Sequence, residues 1–145
     1  MKDLSPQEAC DRMQSDAECI YLDVRSVPEF EAGHPKGAIN IPLLHFDPNR
    51  GMSPNPDFSS VLEAVISKDA KILVGCKSGG RSANACQLMT QMGYADVTNV
   101  RGGFGGQTDN FGRVVEAGWS MLNLPVSTED DETSRYETLL AKAKK

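Results

Sequence analysis

The chain has 145 residues and a formal net charge of −5, with 39% hydrophobic and 24% charged residues. That is enough for one domain with a sizeable core plus a short appendage. The acidic balance argues against nucleic acid or an anionic membrane as partner, and no apolar run is long enough to span a bilayer.

The N-terminus, Met1-Lys2-Asp3-Leu4-Ser5-Pro6, lacks the apolar core of a secretory signal, so a cytoplasmic location is expected. Ser5-Pro6-Gln7-Glu8 reads as an N-cap, a proline at the first helical position and a capping-box glutamate, starting a helix to about Gln14 or Ser15. Cys19 to Val24 reads as a buried strand. Ser26-Val27-Pro28-Glu29 repeats the capping box and starts a short helix that Gly33 ends. Ala38 to Ile41 is a short strand closed by Pro42. The stretch from His45 to Pro56, rich in proline and asparagine, predicts a long loop of functional or lid-like character. Arg50 and Met52 in it are candidates to rim a pocket.

Asp57 is placed to cap a helix to about Ser67 that buries Val61, Leu62, Val65 and Ile66. A strand over 71–75, a helix over 82–92 stopped by Gly93, and a strand over 97–100 follow. Gly102 to Gly106 reads as a flexible turn before a helix at about 108–117. Residues 1–126 are thus expected to form one domain. Residues 127–145, a charged tail, are expected to be disordered or a peripheral helix. Strands alternating with helices predict an α/β fold, its central and mostly parallel sheet flanked by helices on both faces.

Cysteines occur at 10, 19, 76 and 86, with no CxxC and no paired histidines, which excludes the usual zinc spacings and a disulfide framework. Cys10, Cys19 and Cys86 read as small buried hydrophobes. Cys76 differs by its neighbours: an apolar run, Lys71-Ile72-Leu73-Val74, delivers it to the loop Lys77-Ser78-Gly79-Gly80, and Arg81 opens a helix. A cysteine at the carboxyl end of a parallel strand, beside loop N–H groups and a helix N-terminus, is placed to be a thiolate, the nucleophilic form. From Lys71 to Ala95 there are three cations and no acid, so the segment predicts an anionic substrate met by Lys77 and Arg81. Asp23 and Arg25 fall at another strand's carboxyl end and are expected to brace the loop.

Three segments in this order resemble a single-domain rhodanese, the thiosulfate sulfurtransferase family. They are Tyr21-Leu22-Asp23-Val24-Arg25 with Pro28-Glu29-Phe30, Gly33-His34-Pro35-Lys36-Gly37-Ala38-Ile39-Asn40-Ile41-Pro42, and Cys76 to Ser82 followed by Gly102-Gly103. The resemblance runs from about residue 4 to 126 and implies a rhodanese-like fold with no cofactor and no metal. It implies a two-step reaction: a small anionic donor such as thiosulfate loads Cys76 as a persulfide, and a thiol, cyanide or protein acceptor takes the sulfur. Backbone N–H groups from Lys77 to Ser82 would cradle that persulfide, with Ser78 and Ser82 as candidate donors. One departure stands out: the family often has a tryptophan soon after the second glycine of Gly102-Gly103, whereas here Trp119 comes much later.

Two rival functions use the same cysteine. Phosphatases and arsenate reductases also bind oxyanions in a cysteine-loop-arginine cradle, but the related phosphatases use one more residue between the two than the four here. A regulatory or sulfur-relay module would deliver sulfur to a protein, with 127–145 as the docking element.

Overall fold

The structure, a computed structural model, describes residues 2–144; Met1 and Lys145, the ends of the expected domain and tail, lie outside the described residues. Eight elements lead to the middle of the chain: β1 (Lys2–Leu4), α1 (Pro6–Ser15), β2 (Ile20–Asp23), α2 (Val27–Ala32), β3 (His34–Pro35), β4 (Ile39–Asn40) and the strand pair β5 (Leu44–Asp47) and β6 (Gly51–Pro54). Then come α3 (Phe58–Val65), β7 (Lys71–Gly75), α4 (Gly80–Gln91) and β8 (Asp96–Val100). The rest comprises β9 (Gln107–Thr108), β10 (Val114–Glu116), a 3-10 turn (Trp119–Leu122), β11 (Val126–Ser127) and α5 (Tyr136–Ala143).

The central sheet has the order β1-β8-β7-β2-β4, and every pairing in it is parallel. Helices cover both faces, so its strands alternate between two apolar cores rather than between core and water. On β7, Ile72 and Val74 join Leu22, Val61, Leu62 and Met89 on the α3/α4 face, while Leu73 joins Ala9, Tyr21 and Trp119 on the other. Both capping boxes form. Ser5 Oγ accepts from the Glu8 N–H at 3.2 Å while Glu8 accepts from the Ser5 N–H at 3.0 Å, and Glu29 likewise accepts from the Ser26 N–H at 3.2 Å.

Three expectations need correction. The expected loop at 45–56 is a β-hairpin, β5 paired antiparallel with β6. Pro48 and Asn49 occupy the turn, where Asp47 Oδ1 accepts the Asn49 N–H at 2.8 Å, and Pro54 ends the second strand. The expected helix at 108–117 is instead the hairpin β9/β10. Asp109 Oδ1 accepts the N–H groups of Phe111 and Arg113 at 2.8 and 3.0 Å, so the turn chemistry of Asp109-Asn110-Phe111-Gly112 outweighs helical propensity. In the charged tail, α5 is no peripheral helix. Tyr136 and Leu139 lie in the α3/α4 core, and the Tyr136 hydroxyl accepts from Asn55 Nδ2 at 3.1 Å.

Candidate active site

Cys76 follows the last residue of β7, the middle strand, and its side chain is 2% exposed. The chain then turns through Gly79, whose φ of +114° suits glycine, and enters α4 at Gly80. This turn points the Gly79 N–H at Cys76 Sγ, 3.0 Å away. Ser82, fully buried in the first turn of α4, places Oγ 3.4 Å from the same sulfur. An N–H group aimed at sulfur, with a helix N-terminus behind it, favours negative charge there.

A second loop fixes the first from outside. After β8 the segment 102–106 runs along the cysteine loop, with the Phe104 N–H donating to the Cys76 carbonyl at 2.7 Å and the Gly105 N–H to the Lys77 carbonyl at 2.8 Å. The approach is so close that a Cβ on Gly103, at φ +54°, would lie 2.2 Å from the Cys76 carbonyl oxygen. The chain leaves this segment for the β9/β10 hairpin and returns with the Trp119 N–H donating to the Gly103 carbonyl at 2.8 Å. Trp119 is therefore next to the glycine pair in space though not in sequence, packed edge-on to Tyr21 at 5.5 Å.

The predicted site residues divide into two groups. Cys76, Ser78, Gly79, Gly80 and Ser82 come together around the sulfur or along the adjoining cleft. Lys77 is exposed, makes no ion pair among the described residues, and lays its stem against Gly105. Arg81 does not turn to the loop centre. Its Nη1 and Nη2 donate to Glu29 Oε1 and Oε2 at 2.7 and 3.0 Å. Burial alone would raise the Glu29 carboxyl, but the Arg81 guanidinium and Ser26 outweigh it and hold Glu29 down at about 2.

Asp23 and Arg25 form a buried ion pair at 2.8 Å. Arg25 also donates to the Gly33 carbonyl at 2.7 Å and lies 4.4 Å above the Phe104 ring, so the pair ties β2, the exit of α2 and the second loop together. His34 stacks on Phe30 at 3.7 Å and bonds the Phe30 carbonyl at 2.7 Å. Arg50 and Met52 sit on the β5/β6 hairpin and do not line the cleft beside the cysteine loop.

That cleft, of about 550 Å³, is lined by Ser78, Gly79, Gly80, Asn99, Arg101 and Val115 among others. Sequence reasoning missed Asn99, whose Oδ1 lies 2.5 Å from Ser82 Oγ. Glu29 was seen only as a cap, and no local signal marks either contact. Among the other thiols, burial, with Cys76 nearby, pushes the Cys86 thiol up to about 12, and burial raises Cys10 and Cys19 as well.

A family model described as "Rhodanese-like domain" matches residues 5–108. The chain belongs to the rhodanese-like domain family. A chloroplastic relative from Arabidopsis thaliana, "Thiosulfate sulfurtransferase 16", is 40% identical over 90 residues, 62% of this chain and 74% of that protein. "Protein HIGH ARSENIC CONTENT 1, mitochondrial", from the same plant, is 40% identical over 89 residues, 61% of this chain but only 52% of its own length. The chain thus spans about half the length of some curated relatives it matches. Among solved structures, Rv0390 from M. tuberculosis superimposes with a TM-score of 0.74 at 24% identity, covering 89% of this chain and 98% of that one, which is a likeness of rhodanese-like fold. No helix among the described residues is long and apolar enough to cross a membrane.

Proposed function

We propose that this chain is a sulfurtransferase that carries sulfane sulfur on Cys76. The observation that carries this reading is the sulfur's setting: Sγ sits at the head of the middle strand with the Gly79 N–H 3.0 Å away and the Ser82 hydroxyl beside it. The Cys76 thiolate attacks the outer sulfur of thiosulfate or of another persulfide donor, the donor's S–S bond breaks, and sulfite or the donor thiolate leaves with the electron pair. A thiolate or cyanide then attacks the outer sulfur of the Cys76 persulfide, and the electron pair returns to Cys76. The two half-reactions balance without an external oxidant or reductant. In this reading the backbone N–H groups from Lys77 to Ser82 hold the transferred sulfur, Lys77 draws in the anionic donor, and Asp23 with Arg25 keeps the loop in place.

The engagement of Arg81 by Glu29 weighs against a phosphatase or arsenate reductase, because an oxyanion cradle needs its guanidinium turned inward. The burial of Leu139 weighs against 127–145 as the docking element of a relay module, since its apolar face is spent inside this chain. The relatives carry chloroplastic and mitochondrial names, so family membership sets no compartment.

Intact-mass spectrometry tests the reading. Thiosulfate should add the mass of one sulfur atom to the protein, cyanide should remove it, and Cys76→Ser should take up none. Absence of uptake from thiosulfate and from persulfide donors, with hydrolysis of an aryl phosphate instead, refutes it.

A further inference from the structure

The hydroxyl beside the reactive sulfur has more acceptors than it can serve. Ser82 Oγ lies 3.4 Å from Cys76 Sγ, 3.1 Å from the Gly79 carbonyl oxygen and 2.5 Å from Asn99 Oδ1. A serine has one O–H proton, so it donates to one of these at a time, and Ser82 is fully buried. The shortest contact is to Asn99. Its backbone is held on both sides, because β8 pairs Asn99 with Val74 of β7 and with Asp3 of β1. Its side chain is 9% exposed and lines the cleft. A rigid strand therefore presents a carbonyl oxygen to the one hydroxyl that touches the sulfur.

We infer that Asn99 is a positioning residue that holds the Ser82 proton away from sulfur in the thiol state and yields it to the thiolate. While the Ser82 O–H points to Asn99 Oδ1, an oxygen lone pair faces Cys76 and accepts its S–H. When the thiol proton leaves to solvent base, the hydroxyl turns and donates to the sulfur anion. Ser82 keeps its own proton throughout, and no bond between heavier atoms changes. The same donor meets the thiolate when it re-forms as the leaving group of the second half-reaction. This rests on the proposal above that Cys76 is the reacting group, and it adds a residue from outside the cysteine loop.

The charged and titratable groups around the sulfur come from every neighbouring element. They are Tyr21 and the Asp23–Arg25 pair from β2 and its end, Glu29 of α2 bonded to Arg81, Cys86 of α4, Lys77 next in the chain, and Arg101 bonded to Glu116 across the cleft. Ser82 and Asn99 are both neutral, so neutral replacements leave this field in place and isolate the hydroxyl.

The test is the pH profile of Cys76 alkylation by iodoacetamide in the full chain, with the modified cysteine mapped by mass spectrometry. Ser82→Ala removes the donor to the thiolate and should move the profile up by about half to one pH unit. Asn99→Leu removes the nearer of the two competing acceptors, leaving only the longer contact to the Gly79 carbonyl, and should move it down by a similar amount, a roughly three- to tenfold faster alkylation below the midpoint. Asn99→Asp keeps an acceptor and should lie at or above the wild type. In the Ser82→Ala background Asn99→Leu should do nothing, because no hydroxyl remains to direct. An Asn99→Leu profile that is unmoved, moves up, or moves down equally without Ser82 overturns the inference. If Asn99→Leu fails to fold by circular dichroism, Asn99→Ala carries the same expectation. Alkylation needs no sulfur donor, so the two readings fail separately: predicted profiles without sulfur uptake refute the sulfurtransferase, and sulfur uptake with an unmoved Asn99→Leu profile refutes the role of Asn99.

Discussion

Gly103→Ala tests whether the second loop sets the position of Cys76, the reacting group of the proposed function. The added methyl carbon would lie 2.2 Å from the Cys76 carbonyl oxygen and 2.8 Å from its carbon, where ordinary contact starts at 3.4 Å. The two loops must part by more than an ångström, which breaks the Phe104-to-Cys76 hydrogen bond and strains the Gly105-to-Lys77 one. Each such bond contributes about 1 kcal/mol net, and alanine at positive φ costs about another 1–2 kcal/mol. The total, about 3 kcal/mol, corresponds to a fall in Tm of about 10 °C for a chain of this size. If Cys76 is the nucleophile of the proposed function, sulfur loading from thiosulfate should fall by about tenfold or more, because the displaced carbonyl belongs to Cys76 itself. Gly80→Ala is the control: nothing lies within 4 Å of the added carbon, and at a helix start the change should leave Tm equal or slightly higher. Thermal unfolding and stopped mass-spectrometric loading assays read both effects. A Gly103→Ala protein that melts with the wild type and loads sulfur at the same rate refutes the argument that this contact places Cys76.

The Glu29–Arg81 pair should appear in acid stability. Glu29 sits at about 2 in the fold against an ordinary value of 4.5, so the pair stabilises fully above the ordinary value, and that stability is lost as pH falls from 4.5 toward 2. For a half-buried pair, solvent screening reduces this to about 1–2 kcal/mol. Glu29→Gln should lose that amount at neutral pH and flatten the stability profile in the acid window; parallel profiles for variant and wild type contradict the assignment. Leu139→Ala should cost about 2–5 kcal/mol in urea unfolding, as for a filled core position, whereas a loss within about 0.5 kcal/mol would mean that α5 lies outside the core.

The parts of the fold legible in the sequence are those decided within a few residues. The two capping boxes, the glycine after α2 and the apolar runs of β2, β7 and β8 each carry their own local cause, so their elements lie where the sequence places them within a residue or two. The two hairpins were missed because Pro48-Asn49 and Asp109-Asn110 mark only the turns, Pro54-Asn55-Pro56 adds a loop signal at the end of β6, and the flanking strands are too short for an alternating pattern to register. β1 has only three residues and is recruited by pairing with β8. The tail 127–145 reads as disordered or peripheral because it is rich in charge; the burial of Leu139 comes from packing α5 on α3, a contact between residues some eighty positions apart.

The same distinction between local and spatial neighbours governs the charge at the site. Read along the chain, Lys71 to Ala95 is an acid-free and positive segment. In the fold, Lys71 is paired with Asp16 at 2.8 Å and Arg81 with Glu29 at 2.7 Å, the first acid at the C-cap of α1 and the second within α2. Only Lys77 of the three cations remains without an ion pair among the described residues. The positive field at Cys76 Sγ therefore comes mainly from the Gly79 N–H and the start of α4. Such donors lie close to the sulfur and cannot be screened by a swinging carboxylate, whereas a side-chain cation is free to be taken by one. Arg81 instead locks α2 to the cysteine loop, which keeps the Gly79 N–H aimed at Cys76 Sγ.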